Sequence, residues 1–226
     1  MKPSRQSGFR FIVMHRFSDP HFLPGSGLAP EEVYVRALPL MGTPGQAYVE
    51  RRCVPVEIAE AAGARFDPDF AGRPAVLVAM RDHGDNLTAV HGRYLHATRY
   101  QNKMLTVGTG GGAVALLDGW RSEPLILVEG LFDALSLAVC GWASVATIGR
   151  PASGLAEVTF DKVVWAAFDA GRSGEANVTT LRDQLPHALV RRLPPPPRCK
   201  DWNTALVKRG PAVVTKWLQA QVRAGE

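Results

Sequence analysis

Acidic residues follow apolar segments in the second half of the sequence. Glu129 comes directly after residues 124–128, Asp169 comes after residues 163–168, and Asp201 follows a run of four prolines. Because parallel strands end at one edge of a sheet, we expect these carboxylates to lie close together. Converging carboxylates repel one another unless a cation lies between them, and Mg²⁺ prefers such oxygen ligands. The pattern therefore predicts a site for a hard divalent cation.

A fourth acid, Asp133, stands four residues after Glu129. Gly130 permits a tight exit from the strand, and the spacing puts Asp133 on the helix face that looks back at Glu129. Two simpler interpretations stay open at this stage. Asp133 could interact only with the dipole of its helix, and Asp169 could be a helix cap.

The elements that must position these acids alternate along the chain. Nearly continuous apolar segments predict buried strands, and they are separated by segments with helical periodicity, which is typical of a parallel sheet covered by helices. We expect strands at 124–128, 143–148, 163–168 and 188–193, and helices at 131–139, 174–185 and 212–222.

The first half of the chain predicts a smaller α+β unit. We expect short helices at 47–52 and 56–62, and a hairpin whose strands span 75–80 and 87–94. The predicted organisation is an N-terminal arm (1–30), a basic α+β subdomain (31–118) and an α/β domain (119–226).

Composition narrows the class of protein. The chain has 226 residues, 46% of them hydrophobic, and a net charge of +5 that is spread over both halves. These values exclude a fibrous or disordered chain and permit a nucleic-acid partner. Three cysteines without CxxC spacing disfavour a disulfide framework or a zinc site, and no apolar run approaches membrane-spanning length. We therefore expect a cytoplasmic protein.

The motifs resemble those of Toprim proteins of the DnaG-like primase type, including relatives from phages, plasmids and other mobile elements. The hydrophobic-Glu-Gly-x-x-Asp motif is matched by residues 128–133, the Asp-x-Asp-x-x-Gly motif by 169–174, and the late Lys-Asp-x-Asn/Asp motif by 200–203. In the first half, residues 48–53 resemble the Tyr-Leu-x-x-Arg-Gly segment, and residues 91–95 with Lys103 resemble a basic Gly-Arg-x-Leu element. The resemblance spans about residues 31–218 and implies a Toprim fold, Rossmann-like, with about four parallel strands.

The resemblance also implies roles for particular residues. The catalytic and metal-binding set, with Mg²⁺ or Mn²⁺ as cofactor, would be Glu129, Asp133, Asp169 and Asp201. Residues implied to bind nucleic acid or nucleotide are Arg51, Arg52, Arg93, Arg99, Lys103 and Lys200. Tyr94 and Tyr100 would be able to stack on bases. A solvated basic face is the simpler alternative for the cationic residues of the first half.

Two positions depart from the family pattern. Gly171 stands where the second acid of the Asp-x-Asp motif is expected, and Asn203 stands where primases carry a second aspartate. Glu175 lies close enough in sequence to replace the missing acid in part. Loss of carboxylates is expected to weaken both metal binding and the stabilisation of a phosphoryl-transfer transition state.

Three functions follow as hypotheses. The first is a primase core that binds single-stranded DNA and nucleoside triphosphates; because the sequence contains neither a preceding Cys/His cluster nor a Walker motif, it would work with a separate replicative helicase. The second is a catalytically silent Toprim protein that binds nucleic acid or serves as an accessory replication factor of a mobile element. The third is a Toprim nuclease, which ranks lower.

Overall fold

The structure, a computed structural model, describes residues 22–23, 29–149 and 151–225. Most of the predicted N-terminal arm (1–30) lies outside the described residues. The strands are β1 (Phe22–Leu23), β2 (Arg65–Phe70), β3 (Arg73–Arg81), β4 (Leu87–Tyr94), β5 (Met104–Gly108), β6 (Val114–Leu116), β7 (Leu125–Val128), β8 (Ser144–Ala146), β9 (Val163–Ala166) and β10 (Leu189–Arg192). The helices are α1 (Pro30–Arg36), α2 (Pro44–Glu50), α3 (Val56–Ala61), α4 (Leu131–Val139), α5 (Leu155–Val158), α6 (Arg172–Gln184), α7 (Trp202–Arg209) and α8 (Pro211–Gly225).

The first half forms a five-stranded sheet with the order β1-β5-β4-β3-β2. Strands β2 to β5 pair antiparallel, and β1 pairs parallel with β5. The hairpin of β3 and β4 agrees with the predicted one. The register shifts between Asp67 and Phe70 of β2, an edge strand that contains Pro68, and a proline is tolerated there because an edge strand has unpaired backbone groups.

The second half forms a five-stranded sheet with the order β10-β9-β7-β8-β6. Strands β7 to β10 are parallel, and β6 adds an antiparallel edge. The expectation of about four parallel strands is confirmed, and so is the mixed α/β class preceded by an α+β region. The predicted domain boundary at residue 118 stays a prediction; β6, which precedes it, pairs in this second sheet.

Several elements were not predicted. Strand β2 carries charged residues and a proline that conceal any period of 2, and strands β5 and β6 are too short to show one. Helices α1 and α5 are too short to show a full helical pattern. Helix α7 was missed because the Lys-Asp-Trp-Asn segment was interpreted only as a motif at the edge of the sheet. All of the predicted helices and strands are present, and their ends differ from the predicted ones by at most three residues.

One hydrophobic core joins the two halves. It contains Val76 of the first sheet together with Ile126 of the second, and it includes Leu135 of α4 and the fully buried Trp202 of α7. The backbone also connects the halves, since Arg81 and Ala113 exchange hydrogen bonds of 2.9 and 2.8 Å. The relative placement of both halves is therefore determined by burial as well as by pairing.

No helix in the described part of the chain is long and apolar enough to cross a membrane. The cytoplasmic location stays a prediction.

Candidate functional site

The four predicted acids lie around the carboxyl ends of β7 and β9. Glu129 directly follows β7, and Asp133 lies in the first turn of α4. Asp169 follows β9, and the backbone N–H of Asp169 donates to Oε1 of Glu129 at 3.3 Å. Asp201 precedes α7, whose first backbone N–H, that of Trp202, donates to Oδ1 of Asp133 at 2.9 Å. The fold thus brings the acids of three motifs to one place.

The carboxylates perturb one another electrostatically. Burial, together with the charges of Asp201 and Asp169, raises the pKa of Asp133 to about 7. Burial and the charge of Glu129 also raise the pKa of Asp169, whereas Lys200 opposes this shift. A set of carboxylates that resists ionisation has a deficit of positive charge, which a cation would supply.

The donor atoms fit a hard cation in kind. All four side chains offer carboxylate oxygens, the ligands that Mg²⁺ and Mn²⁺ accept. In residues 29–149 and 151–225, however, no group of three or more His, Cys, Asp and Glu side chains is already arranged to hold an ion. Lys200 Nζ lies 3.7 Å from Oδ2 of Asp169 and supplies part of the positive charge.

Two of the acids also hold the start of α7. Asp201 is the N-cap and accepts the N–H of Thr204 at 2.6 Å, while Oδ1 of Asp133 accepts the N–H groups of Trp202 and Asn203. These contacts satisfy amides that a helix start leaves without an internal partner. The helix-cap interpretation considered for Asp169 is wrong: α6 begins after Gly171 and has no side-chain cap. The capping role belongs to Asp201.

Asn203 is a structural residue rather than a weakened metal ligand. Its side chain is buried, and Nδ2 donates to the backbone oxygen of Arg52 at 3.0 Å and to Oγ of Ser136 at 3.1 Å. Its Oδ1 accepts from Nη1 of Arg52 at 3.1 Å. An aspartate cannot donate the first two bonds, so the amide is required by its partners.

Arg52 connects the two halves of the chain. Besides its bond to Asn203, it donates from Nη2 to the hydroxyl of Tyr48 at 3.1 Å, and its guanidinium lies 4.3 Å from the ring centroid of Phe132. Arg93 reaches the same Tyr48 hydroxyl from Nε at 3.4 Å. We name Tyr48, Arg52, Phe132 and Asn203 the clasp. The predicted nucleic-acid contact of Arg52 would have to compete with these internal partners.

The other predicted basic residues are more accessible. Arg51, Arg99, Lys103 and Lys200 are exposed, and Arg99 contacts the exposed ring of Tyr100. Their contacts to nucleic acid stay predictions.

The two tyrosines differ. Tyr100 is 81% exposed, whereas Tyr94 is buried beneath the guanidinium of Arg73, which lies 3.5 Å from its ring centroid. The prediction that Tyr94 stacks on bases is therefore wrong, because its ring is already covered.

Backbone conformation explains the glycine at position 171. Gly171 has φ +96° and ψ −173°, a region that residues with a Cβ rarely adopt, although a Cβ there would meet no atom within 4 Å. At Gly174 the reason is contact instead, since a Cβ would lie 1.8 Å from the backbone oxygen of Asp169. The turn after β9 thus follows a path that only glycine allows at both positions.

Sequence reasoning missed Arg192. Its guanidinium donates to the backbone oxygens of Ala166, Phe168, Asp169 and Leu193, and Nε pairs with Glu175 at 2.8 Å. This residue fixes the backbone that carries Asp169. Glu175 pairs with Arg192, and its expected role as a partial replacement for the missing acid stays a prediction. An arginine pair inside an otherwise apolar predicted strand was the available signal.

Two regions of the chain match known protein families. Residues 29–116 match a domain of unknown function, DUF7146, and residues 126–206 match the Toprim-like family. Comparison with curated protein sequences gives no match.

Solved structures agree with this division. The zinc-binding and RNA polymerase domains of the Aquifex aeolicus primase are 17% identical, with a TM-score of 0.65 over 88% of this chain and 63% of that chain. The catalytic domain of DnaG primase bound to single-stranded DNA is 18% identical, with a TM-score of 0.62 over 84% of this chain and 77% of that one. The RNA polymerase domain of Mycobacterium tuberculosis primase DnaG, in complex with double-stranded DNA, is 16% identical, with a TM-score of 0.63 over 83% and 76%. The chain therefore spans less than two thirds of the Aquifex chain, and the likeness establishes the fold.

Proposed function

We propose that this chain, which carries a Toprim-like domain and has the fold of DnaG-type primase catalytic cores, binds single-stranded DNA and joins nucleotides on it with a divalent metal. The observation that carries the proposal is the convergence of Glu129, Asp133 and Asp169 with the start of α7. The raised pKa values of Asp133 and Asp169 indicate a site that would be stabilised by added positive charge. A separate helicase is the partner expected to supply the template.

The reaction needs no side-chain nucleophile. A bound Mg²⁺ or Mn²⁺ would offset the negative charge that develops when a 3′ hydroxyl attacks the α-phosphorus of a nucleoside triphosphate and pyrophosphate leaves. Glu129, Asp133, Asp169 and Asp201 are the residues that would hold it. Lys200, exposed and 3.7 Å from Asp169, is placed to exchange its carboxylate partner for a triphosphate oxygen when the carboxylates bind a cation.

The clasp contributes by positioning. Through Asn203 it holds α7, and α7 contacts Asp133 through its first two N–H groups. Because Arg52 anchors Asn203 from the first half, the clasp ties the predicted template-binding half to the acids.

A second function has an observation of its own. The pairing of Lys200 with Asp169 and the glycine-only backbone at Gly171 both reduce the number of carboxylates available to a cation. They favour a catalytically silent protein that binds nucleic acid as an accessory replication factor.

Primer synthesis distinguishes the two functions. Wild type and Glu129→Gln are incubated with single-stranded DNA, nucleoside triphosphates and either Mg²⁺ or Mn²⁺, and labelled products are resolved by length. A glutamine keeps an oxygen for the Asp169 N–H, so we expect it to preserve the turn. Product from wild type that falls at least about 100-fold in Glu129→Gln supports the enzyme.

The matched control is Glu57→Gln, the same change at an exposed position in the first turn of α3. It should synthesise primers at the wild-type rate. No product from wild type in either metal, with tight binding of single strands, would instead favour the accessory factor.

A further inference from the structure

We propose that a groove between the proline run and helices α7 and α8 binds the phosphate backbone of single-stranded nucleic acid, as a second contact beyond the basic residues of the first half. The inference rests on the proposed function, because it assumes the same nucleic-acid partner. It adds a surface near the C-terminal end of the chain, whereas Arg51, Arg93 and Lys103 belong to the first half. The groove has a volume of about 600 Å³. It is lined by Pro196, Pro197, Arg198, Arg209, Val213, Lys216, Trp217 and Ala220.

The charge of this part of the chain is strongly one-sided. Between residues 184 and 225 the sequence has a single acid, Asp201. The cations of the same segment are Arg191, Arg192, Arg198, Lys200, Lys208, Arg209, Lys216 and Arg223. An overall charge of +5 therefore conceals a concentrated basic region, and such a region attracts polyanions.

In the part of the chain that the structure describes, the cationic side chains of the groove are exposed to solvent and are not neutralised by neighbouring acids. Arg198, Arg209 and Lys216 are exposed, and within the described chain no acidic side chain lines the groove. Arg209 donates to the backbone oxygen of Pro197 at 3.1 Å and so holds the proline wall. Among the described residues, Arg198 and Lys216 form no ion pair. The guanidinium of Arg198 and the ammonium of Lys216 are therefore available to a ligand.

The apolar part of the groove suits a nucleic-acid strand. Trp217 is half-buried, and its indole N–H donates to the backbone oxygen of Pro194 at 3.0 Å, which fixes the ring beside the prolines. A fixed aromatic face next to cations is the combination that binds single strands without sequence preference.

Continuity with the candidate site favours nucleic acid over an acidic peptide. The wall that carries Pro197 and Arg198 continues through the buried Cys199 to Lys200 and Asp201. We therefore expect a strand whose end lies at the acids to reach the groove along this segment.

The test measures binding of a fluorescein-labelled thirty-nucleotide single strand by anisotropy, in EDTA and without nucleotides, at several salt concentrations. The groove variant is Arg198→Gln with Lys216→Gln. The matched control is Lys208→Gln with Arg223→Gln, which removes two exposed cations from α7 and α8 outside the groove. Each lost phosphate contact should lower the salt slope by about 0.7, so we expect a decrease of about 1.4 and at least tenfold weaker binding for the groove variant alone.

Other results overturn the inference. Equal binding by wild type and both variants would mean that the groove is not used, while leaving the proposed function intact. Equal weakening in both variants would show general charge attraction. Groove-dependent binding of a polyglutamate peptide in place of DNA would assign the groove to an acidic protein. The binding assay contains EDTA and no nucleotides, so it does not depend on catalysis. Its result can therefore be distinguished from the outcome of the primer-synthesis assay with Glu129→Gln.

Discussion

Replacing Asn203 by aspartate tests whether this position belongs to the metal site or to the clasp. The resemblance to primases suggests that an aspartate would restore a lost carboxylate. The structure predicts the opposite, because the Asn203 amide donates to the backbone oxygen of Arg52 and to Oγ of Ser136. A carboxylate at this buried position would face both acceptors without a proton to donate.

The cost follows from these partners. Two lost hydrogen bonds account for about 1–3 kcal/mol of the free energy of unfolding. Ser136 cannot compensate, because its hydroxyl already donates to the backbone oxygen of Phe132 at 2.6 Å. The new charge gains from Arg52 but is repelled by Asp133, whose pKa is already raised to about 7. We expect Asn203→Asp to lower the free energy of unfolding by about 2 kcal/mol.

Urea unfolding followed by tryptophan fluorescence measures this loss, and calorimetric titration with Mg²⁺ measures any gain in affinity. The control is Asn177→Asp, the same change on the exposed face of α6, which should shift the free energy of unfolding by less than about 0.5 kcal/mol. A stable Asn203→Asp protein that binds Mg²⁺ more tightly than wild type would refute the structural role of the amide.

Three further predictions concern the same region. Arg52→Lys should lower the free energy of unfolding by about 1–2 kcal/mol in the urea assay, because one ammonium cannot bond both Asn203 and Tyr48 as the guanidinium does. The control, Arg51→Lys at an exposed position, should change the free energy of unfolding little. Gly171→Asp and Gly171→Ala should each cost about 1–3 kcal/mol in thermal and urea unfolding because of the glycine-only backbone, and wild-type stability in either would contradict that geometry. Without metal, the raised pKa of Asp133 stabilises the folded state below the ordinary value of 3.8, and that contribution is lost as pH rises to about 7. Asp133→Asn should therefore gain stability relative to wild type as the pH rises from about 4 to about 7, and a difference that does not vary with pH in this range would contradict it.

Sequence reasoning identified acids that follow strands and therefore lie at the edge of the sheet. Buried parallel strands need long apolar segments, so β7 and β9 stand out, and a residue that follows such a segment must lie at the edge of the sheet. Glu129 and Asp169 were found in this way. Strand β2 was not, because an edge strand with aspartates and a proline shows no regular period.

The roles of the acids depended on contacts that no local pattern contains. Asp201 and Asp169 both follow strands and precede helices, yet only Asp201 caps a helix, and only Asp169 pairs with Lys200. Arg52 and Asn203 are separated by 151 positions in sequence, and a hydrogen bond over that distance is formed only when the two halves pack. The basic region from residue 184 onward was readable from the sequence, but overall charge concealed it.

Apolar periodicity and motif spacing are local properties of the chain, so the sequence was enough to predict the alternation of strands and helices, the acids at the strand ends and the Toprim resemblance. Tertiary contacts were needed to show that Asn203 serves the clasp, that Arg52 bonds to Asn203 and Tyr48, and that Gly171 occupies a backbone conformation that other residues rarely adopt. Those assignments depend on which groups folding brings together, because the chemistry of a side chain does not specify which partner it will contact.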